Sequence, residues 1–338
     1  MTGAKTFRGV LRNERFTKDL TGGVVRLPQV ARTIEALAPP VGARLFVRAL
    51  LVQNQFKFSG GFSIDSFDSS TPAKSTGGQY DVTKKQSHGD IASNSAGGIS
   101  SLNNCFVWGD ASCNTGAMSG TTNVNGNKYN NFSTTIPPVA KPTFSSINGS
   151  YSAITNPATA VTLTGGAAGA PQNYKLTDLT ISNSAKPLIL APHAAGQESY
   201  INIWVTGKTT ISGSGFIQQQ PGVHVQIWSE GSVTVSGSGW VNQTNTAANL
   251  QVYGVTPPSY VQRDMIVSGS GTFVGVFNGG TTFDLTISGG ASFIGAAIGR
   301  EADYSGSGKF HYDETLANLG SNGAATSYQY ASWIEDIR

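Results

Sequence analysis

The chain has 338 residues, only 12% of them charged, and its 42 glycines stand among many Ser, Thr and Asn. A hydrophobic share of 38%, rich in Val, Ile and aromatics, excludes a disordered chain and fits an all-β fold of short strands and tight turns. The net charge is only +3, but residues 1–48 carry nine Lys or Arg against three acidic residues. No basic stripe with interleaved aromatics follows in the body, which argues against nucleic-acid binding.

In chain order, residues 1–43 read as a basic N-terminal lead-in, solvated or extended. The first residues lack an apolar core of signal-peptide length. The longest apolar stretch, Ala49-Leu50-Leu51-Val52, is too short to span a bilayer. The expectation is a cytoplasmic protein or, preferred here, one whose true N-terminus precedes this sequence. Residues 44–132 read as N-terminal strands and polar loops, the first coils of a larger β structure. Within them, residues 45–58 suggest one or two strands, 65–98 a long Gly/Ser-rich loop, and 105–108 another strand. Residues 133–160 hold Pro137, Pro138, Pro142 and Pro157. Too many N–H donors are missing there for a central strand, so the segment reads as an extended crossing. Residues 161–316 form the core and residues 317–338 a C-terminal tail.

The core carries an internal repeat in which β-branched residues alternate, run into Ser-Gly-Ser-Gly and resume on an aromatic. Successive copies are Thr209-Thr210-Ile211-Ser212-Gly213-Ser214-Gly215-Phe216 and Val233-Thr234-Val235-Ser236-Gly237-Ser238-Gly239-Trp240. Three more centre on Ser268-Gly269-Ser270-Gly271, Ser288-Gly289-Gly290 and Ser305-Gly306-Ser307-Gly308, at spacings of 24, 32, 20 and 17 residues. Such periods with strand character indicate stacked coils. The reading is all-β, a parallel β-solenoid (right-handed β-helix) with long inserted loops. Ile211, Val235, Val267 and Ile287 are predicted to form an internal ladder, with the glycines at a sharp corner. Phe216, Trp240, Phe273, Phe293 and Phe310 would form a second ladder, core first and sugar-stacking platform second. The competing fold is an antiparallel sandwich with Gly-rich hairpins.

The run Phe273-Val274-Gly275-Val276, Ser292-Phe293-Ile294-Gly295-Ala296 and Ser305-Gly306-Ser307-Gly308-Lys309-Phe310-His311-Tyr312-Asp313 resembles the C-terminal domain of PilX-like bacterial pilus-assembly proteins. Phe58-Ser59-Gly60-Gly61, Ile64-Asp65-Ser66-Phe67, Tyr80-Asp81 and Gly89-Asp90-Ile91-Ala92 resemble earlier parts of such proteins. The resemblance covers roughly residues 44–316 and implies an envelope or surface role rather than a known reaction. Members typically begin with a pilin-like membrane helix, a pattern from which this sequence departs. A weaker likeness is to bacterial cytoskeletal β-solenoids that polymerise end to end.

Candidate sites are few. Cys105 and Cys113 suit a local disulfide or, alternatively, two free buried thiols; a disulfide would place the protein outside the reducing cytosol. No further Cys or His stands at metal-ligand spacing. His311-Tyr312-Asp313-Glu314 reads as a structural cap closing the last coil, with a general-base dyad or cation site as the alternative. Asp65-Ser66-Phe67-Asp68 lacks the glycine and third acid of a calcium loop and reads as an Asx-type turn. His88, His193 and His224 have no sequence-local partner that makes them catalysts. Three Asn-x-Ser/Thr sequons, at Asn131, Asn148 and Asn242, are ordinary in so Asn/Ser-rich a chain. The Asn-Thr-Asp, Asp-Asp and Gly-His-Gly motifs of polygalacturonase-like hydrolases do not occur.

These readings converge on a non-catalytic structural or adhesive component of a bacterial envelope or pilus-like assembly, with no cofactor. Its expected partners are other envelope or pilus proteins and surface glycans, with self-association open and no nucleic acid. Its expected place is extracytoplasmic, at the cell surface or in the periplasm, with the membrane reached only through an anchor outside this chain. A carbohydrate-active enzyme or glycan-binding β-helix module is the alternative, and a polymerising scaffold the third reading.

Overall fold

A computed structural model describes residues 45–319 apart from 101, 103, 104, 121, 122, 151, 183–185 and 260, together with four short strands nearer the N-terminus. Those four form two antiparallel pairs, Thr6–Leu11 with Arg32–Leu37 and Phe16–Lys18 with Val24–Arg26. The rest of the basic lead-in and residues 320–338 of the tail lie outside the described residues. The strands of residues 45–319 make up a second, separate unit.

That unit is all-β with parallel sheets: every pairing between its named strands is parallel, and it has no α-helix among the described residues. The antiparallel alternative is therefore excluded for it. The chain visits three sheets in turn. In one circuit it passes Thr209–Ser212 in sheet II, turns at the glycines into Ile217–Gln219 in sheet III, then enters Val223–Ser229 in sheet I. The next circuit repeats this through Val233–Val235, Trp240–Asn242 and Leu250–Gly254. Each circuit is one rung, hydrogen-bonded to the rungs above and below at about 4.8 Å.

The register bears out the predicted ladder. Ile181, Ile211, Val235, Val267, Ile287, Tyr304 and Phe58 stand opposite one another in succession down sheet II, and all are buried. After the corner, Phe273, Phe293 and Phe310 follow one another at centroid separations of 4.9 and 4.6 Å, the first pair tilted and the second stacked. Trp240 is opposite Ile217, so the place expected for Phe216 belongs to its neighbour. The corner there holds one residue fewer, because Ile211 and Val235 are 24 apart while Ile217 and Trp240 are 23 apart. At the corner Gly60, Gly213, Gly237, Gly269, Gly289 and Gly306 all adopt positive φ. At four of them, Gly60, Gly237, Gly289 and Gly306, the next rung leaves no room for a side chain: a Cβ on Gly237 would lie 2.0 Å from the Gly213 carbonyl oxygen.

The stacking order is not the chain order. Down sheet I the strands run Gly149–Ser150, Gln172–Leu176, Ser199–Val205, Val223–Ser229, Leu250–Gly254, Thr272–Asn278, Ser292–Gly299, and only then Leu50–Val52, Ile91–Ser93, Ala111–Ser112 and Lys128–Tyr129. Sheet II places Phe56–Ser59 after Ala302–Ser305 in the same way. The strands expected to come first in the stack, Leu50–Val52 to Lys128–Tyr129, thus extend its C-terminal end and do not precede its beginning. One rung is composite: Ala302–Ser305 and Lys309–Asp313 are completed in sheet I by Leu50–Val52. The expected 65–98 loop also contains the end of one strand, Ser63–Phe67, and the whole of another, Ile91–Ser93.

This order requires the chain to travel back from Tyr129 to Gly149 along the whole stack. Ten rung spacings of about 4.8 Å amount to roughly 48 Å, and twenty extended residues at about 3.1 Å or more reach roughly 62 Å. The proline-rich crossing does this as an external strap. Thr134 exchanges hydrogen bonds with Asn94 (2.7 and 2.9 Å), and Val139 with Thr256 (2.8 and 2.9 Å). Phe144 meets Trp228 and Trp204 edge-on at 6.0 and 6.5 Å, and Asn173 reaches the Ser146 carbonyl at 3.1 Å. Prolines hold this segment extended and deny it a ladder, so it crosses the rungs instead of joining them. Strand structure resumes at Gly149–Ser150 and Ile154–Thr155, inside the stretch expected to be crossing throughout.

Candidate functional site

Three polar motifs that lie far apart in sequence meet at the composite rung. Lys309–Asp313 pairs with Ser63–Phe67, setting His311 opposite Asp65, Tyr312 opposite Ser66 and Asp313 opposite Phe67. Because side chains alternate along a strand, Ile64 and Phe310 enter the core while Asp65 and His311 point outward. Residues 68–90 fold over them, so His311 and Asp65 are each only 5% exposed. His311 Nδ1 lies 2.5 Å from Asp65 Oδ1. The Tyr80 hydroxyl donates to Asp65 Oδ2 at 2.8 Å, and its ring stacks on the imidazole at 3.6 Å. Burial, reinforced by the bond to Asp65, pushes the Tyr80 phenol well above its ordinary range.

A second layer surrounds this one. Ser66 Oγ donates to Glu314 at 2.8 Å and receives the His88 backbone N–H at 2.8 Å, while His88 Nδ1 lies 2.9 Å from Glu314. Lys74 Nζ stands 3.6 Å from Glu314 and 3.8 Å from Asp68. Burial raises the Asp68 carboxyl, but hydrogen bonds from Ser70 and Thr71 outweigh it, leaving the group below its usual value. The bond from Ser70 N makes an Asx-type turn that starts at Asp68, whereas Asp65 to Phe67, where the turn was expected to begin, is strand. The buried Asp313 accepts Ser69 N, Thr315 N and Thr315 Oγ1 all on one oxygen, and desolvation pushes its carboxyl up. Tyr312 donates to the Phe46 carbonyl at 2.7 Å, tying the point where residues 45–52 enter to the strand that ends at Asp313.

In an open cleft, a His–carboxylate dyad under a tyrosine is suited to proton transfer. Here both Asp65 oxygens are occupied by protein groups and the dyad is sealed, so the arrangement braces the joint between the two halves of the chain. The motif at 311–313 does not cap an open edge, as the sequence suggested. Its strand is flanked by Ser292–Gly299 on one side and Ser63–Phe67 on the other. Asp65 and Asp68 belong to separate networks and do not converge on a common point. Among the described residues, no group of three or more His, Cys, Asp or Glu is placed to hold a metal ion.

The expected disulfide is corrected: Cys105 and Cys113 are free and buried. Cys105 leads into Phe106–Val107, which pairs with Ser63–Phe67, and Cys113 follows Ala111–Ser112, which pairs with Ile91–Ser93, so the two thiols lie beside different strands. Burial pushes the Cys105 thiol up to about 12. His193 bonds Ser199 at 2.7 Å, and His224 stacks on Tyr200 at 4.6 Å with Glu198 at its edge. Neither belongs to the joint.

The outer face of sheet I carries a second set of residues that sequence reasoning missed. Asn173, Asn202, Gln226 and Gln251 stand opposite one another on successive rungs. Two residues along, Lys175, Trp204, Trp228 and Tyr253 form a parallel column, with Lys175 over the Trp204 ring at 4.3 Å and Trp228 stacked on Tyr253 at 5.3 Å. The signal was present in Tyr200-Ile201-Asn202-Ile203-Trp204 and His224-Val225-Gln226-Ile227-Trp228, where polar or aromatic residues alternate with Ile and Val. Only the rung register shows that these residues align.

The fold and its joint define an all-β protein of parallel sheets stacked rung upon rung. The chain belongs to a family known as a domain of unknown function (DUF7305), whose model matches residues 147–319, just over half of its length. The matched segment starts at the first rung and ends where the described chain leaves the composite one. No curated protein and no solved structure matches the chain. Among the described residues, no helix is long and apolar enough to cross a membrane.

Proposed function

We propose that residues 45–319 form one right-handed parallel β-solenoid acting as a non-catalytic structural or adhesive component of a bacterial cell envelope or pilus-like surface assembly. Right-handed winding follows from the general preference of parallel crossovers. The observation that carries the reading is the composite rung. The N-terminal coils lengthen the stack from its C-terminal end, and the polar motif that resembled a site is spent on sealing that joint. A continuous stack strapped along its outside suits a load-bearing or display element. The resemblance of residues 44–316 to PilX-like proteins gives the surface setting, with envelope or pilus proteins as partners.

Immunogold labelling of intact cells and sheared surface filaments, with antibody against residues 160–316, tests this. Label on the surface or along filaments is the expected result; label confined to the cytoplasm overturns it and favours the polymerising scaffold. A glycan-binding role is favoured within the same reading by the amide and aromatic columns on sheet I.

A further inference from the structure

Where the strap reaches the first rungs, it encloses a groove of about 490 Å³ with the turn that leads into Gln172–Leu176. Thr143, Phe144, Ser145, Ser146 and Asn148 form its strap side, and Gly169 to Asn173 with Asn202 the opposite wall. No Lys, Arg, His, Asp or Glu is in the lining. The groove is therefore neutral, polar and edged by one aromatic ring.

Its amides are held in place unequally. Asn173 is fixed at both ends: its Nδ2 donates to the Ser146 carbonyl at 3.1 Å, and its Oδ1 accepts Asn202 Nδ2 at 2.9 Å. Asn148 Oδ1 accepts the Asn173 backbone N–H at 3.1 Å. That leaves Asn202 Oδ1, Asn148 Nδ2, the whole Gln172 amide and the hydroxyls of Thr143 and Ser145 without a hydrogen-bond partner among the described residues. Amides and hydroxyls both donate and accept, as sugar hydroxyls do. The amide column continues from Asn202 to Gln226 and Gln251, with Gln226 and Gln251 bonded at 3.0 Å. It is bordered by the stacked Tyr200 and His224 on one side and by Trp204 and Trp228 on the other. These rings are engaged with one another and with Lys175 on one side, so what they offer the C–H groups of a pyranose is their remaining apolar surface. The groove itself offers an anionic ligand such as a uronate no cation; along the column the cation nearest the aromatic border is Lys175, whose Nζ is engaged over the Trp204 ring at 4.3 Å.

We infer that this groove and the adjoining amide column bind a neutral oligosaccharide, laid across the rungs of sheet I from the strap toward Gln251. The inference deepens the adhesive reading and rests on it. The purified full chain would be titrated with maltohexaose, cellohexaose, xylohexaose and chitohexaose by calorimetry, with a galacturonic acid hexamer as the anionic comparator. The expected result is binding of at least one neutral probe with Kd between micromolar and millimolar. It should weaken at least tenfold in Asn202→Ala and in Ser145→Trp, which fills the groove, with both variants retaining the parent far-UV circular dichroism and melting point. Gln172→Ala, at a half-buried position with no side-chain hydrogen bond among the described residues to lose, serves as a third variant should either fail to fold. No binding of any neutral probe, binding indifferent to the folded variants, or preference for the galacturonic acid hexamer would each overturn the inference. Surface labelling and sugar binding are separate measurements. A protein on the surface that binds no neutral sugar removes the groove assignment alone, and a cytoplasmic protein that binds one removes the surface setting alone.

Discussion

Replacing Gly237 by Ala tests the glycine column at which six successive rungs turn. Gly237 has φ of +66°, a region that costs an L-residue about 1–2 kcal/mol. The new Cβ would lie 2.0 Å from the Gly213 carbonyl oxygen and 2.8 Å from its nitrogen and carbonyl carbon, all backbone of the neighbouring rung. The rungs can move apart there only by breaking the bond from Ser238 N to Gly213 O, 3.0 Å long, worth about 0.5–1.5 kcal/mol net. Restricting the unfolded chain returns about 0.4–1 kcal/mol. The balance is a destabilisation of roughly 2 kcal/mol, and at about 2–4 °C per kcal/mol for a domain of this order the melting point should fall roughly 4–8 °C. Gly61→Ala is the matched comparison: it follows the corner glycine Gly60, yet a Cβ on it meets nothing within 4 Å and its φ is not in the left-handed region. That variant should stay within about 0.5 kcal/mol of the parent. Thermal unfolding followed by circular dichroism reads both. If Gly237→Ala melts with the parent, or the two variants fall together, the stacked left-handed corner is wrong.

Other outcomes follow from the same geometry. Phe144→Ala removes the contact of the strap with Trp204 and Trp228, so limited proteolysis within residues 133–147 should accelerate several-fold while the rungs stay protected; unchanged cleavage would mean the strap is held elsewhere. Asp313→Asn keeps an oxygen for Ser69 and Thr315 but removes a buried charge. A carboxyl whose pKa rises on folding costs stability when ionised, and the fold regains that stability as pH falls through the raised value toward the unfolded value of about 3.9. The variant should therefore equal or exceed the parent in urea midpoint at pH 7, with the difference vanishing near pH 4; a deficit that persists at pH 7 would contradict the assigned burial cost. Cys105, its thiol raised to about 12 by burial, should resist a thiol reagent in the native protein at pH 8 and react, with Cys113, only in denaturant. Finding no reactive thiols after non-reducing denaturation would show a disulfide after all.

Much of the rung was legible in the sequence because its determinants are local. Alternating Ile, Val and Thr set a strand with one face in the core, and Ser-Gly-Ser-Gly marks a corner that only glycine can take at low cost. Those two signals gave the β class and the ladder through Ile211, Val235, Val267 and Ile287, and the four prolines of residues 133–160 gave the extended segment. A sixth copy, Phe58-Ser59-Gly60-Gly61-Phe62, stands opposite Tyr304-Ser305 and carries the same mark far from the others.

Only the tertiary structure decided where the rungs stack. Edge strands of a parallel sheet accept any strand with a matching apolar face, so pattern alone does not say that Leu50–Val52 completes a rung begun by Ala302–Ser305. For that reason the sequence ordered the coils as the chain runs and made a terminal cap of His311-Tyr312-Asp313. The same non-local pairing brought Asp65 to His311 and aligned Asn173, Asn202, Gln226 and Gln251 on one outer face. Spacing along the chain fixes which side of a strand a residue occupies; the residue that stands beside it on the next rung depends on loop lengths and on the route of the strap, which no local periodicity encodes.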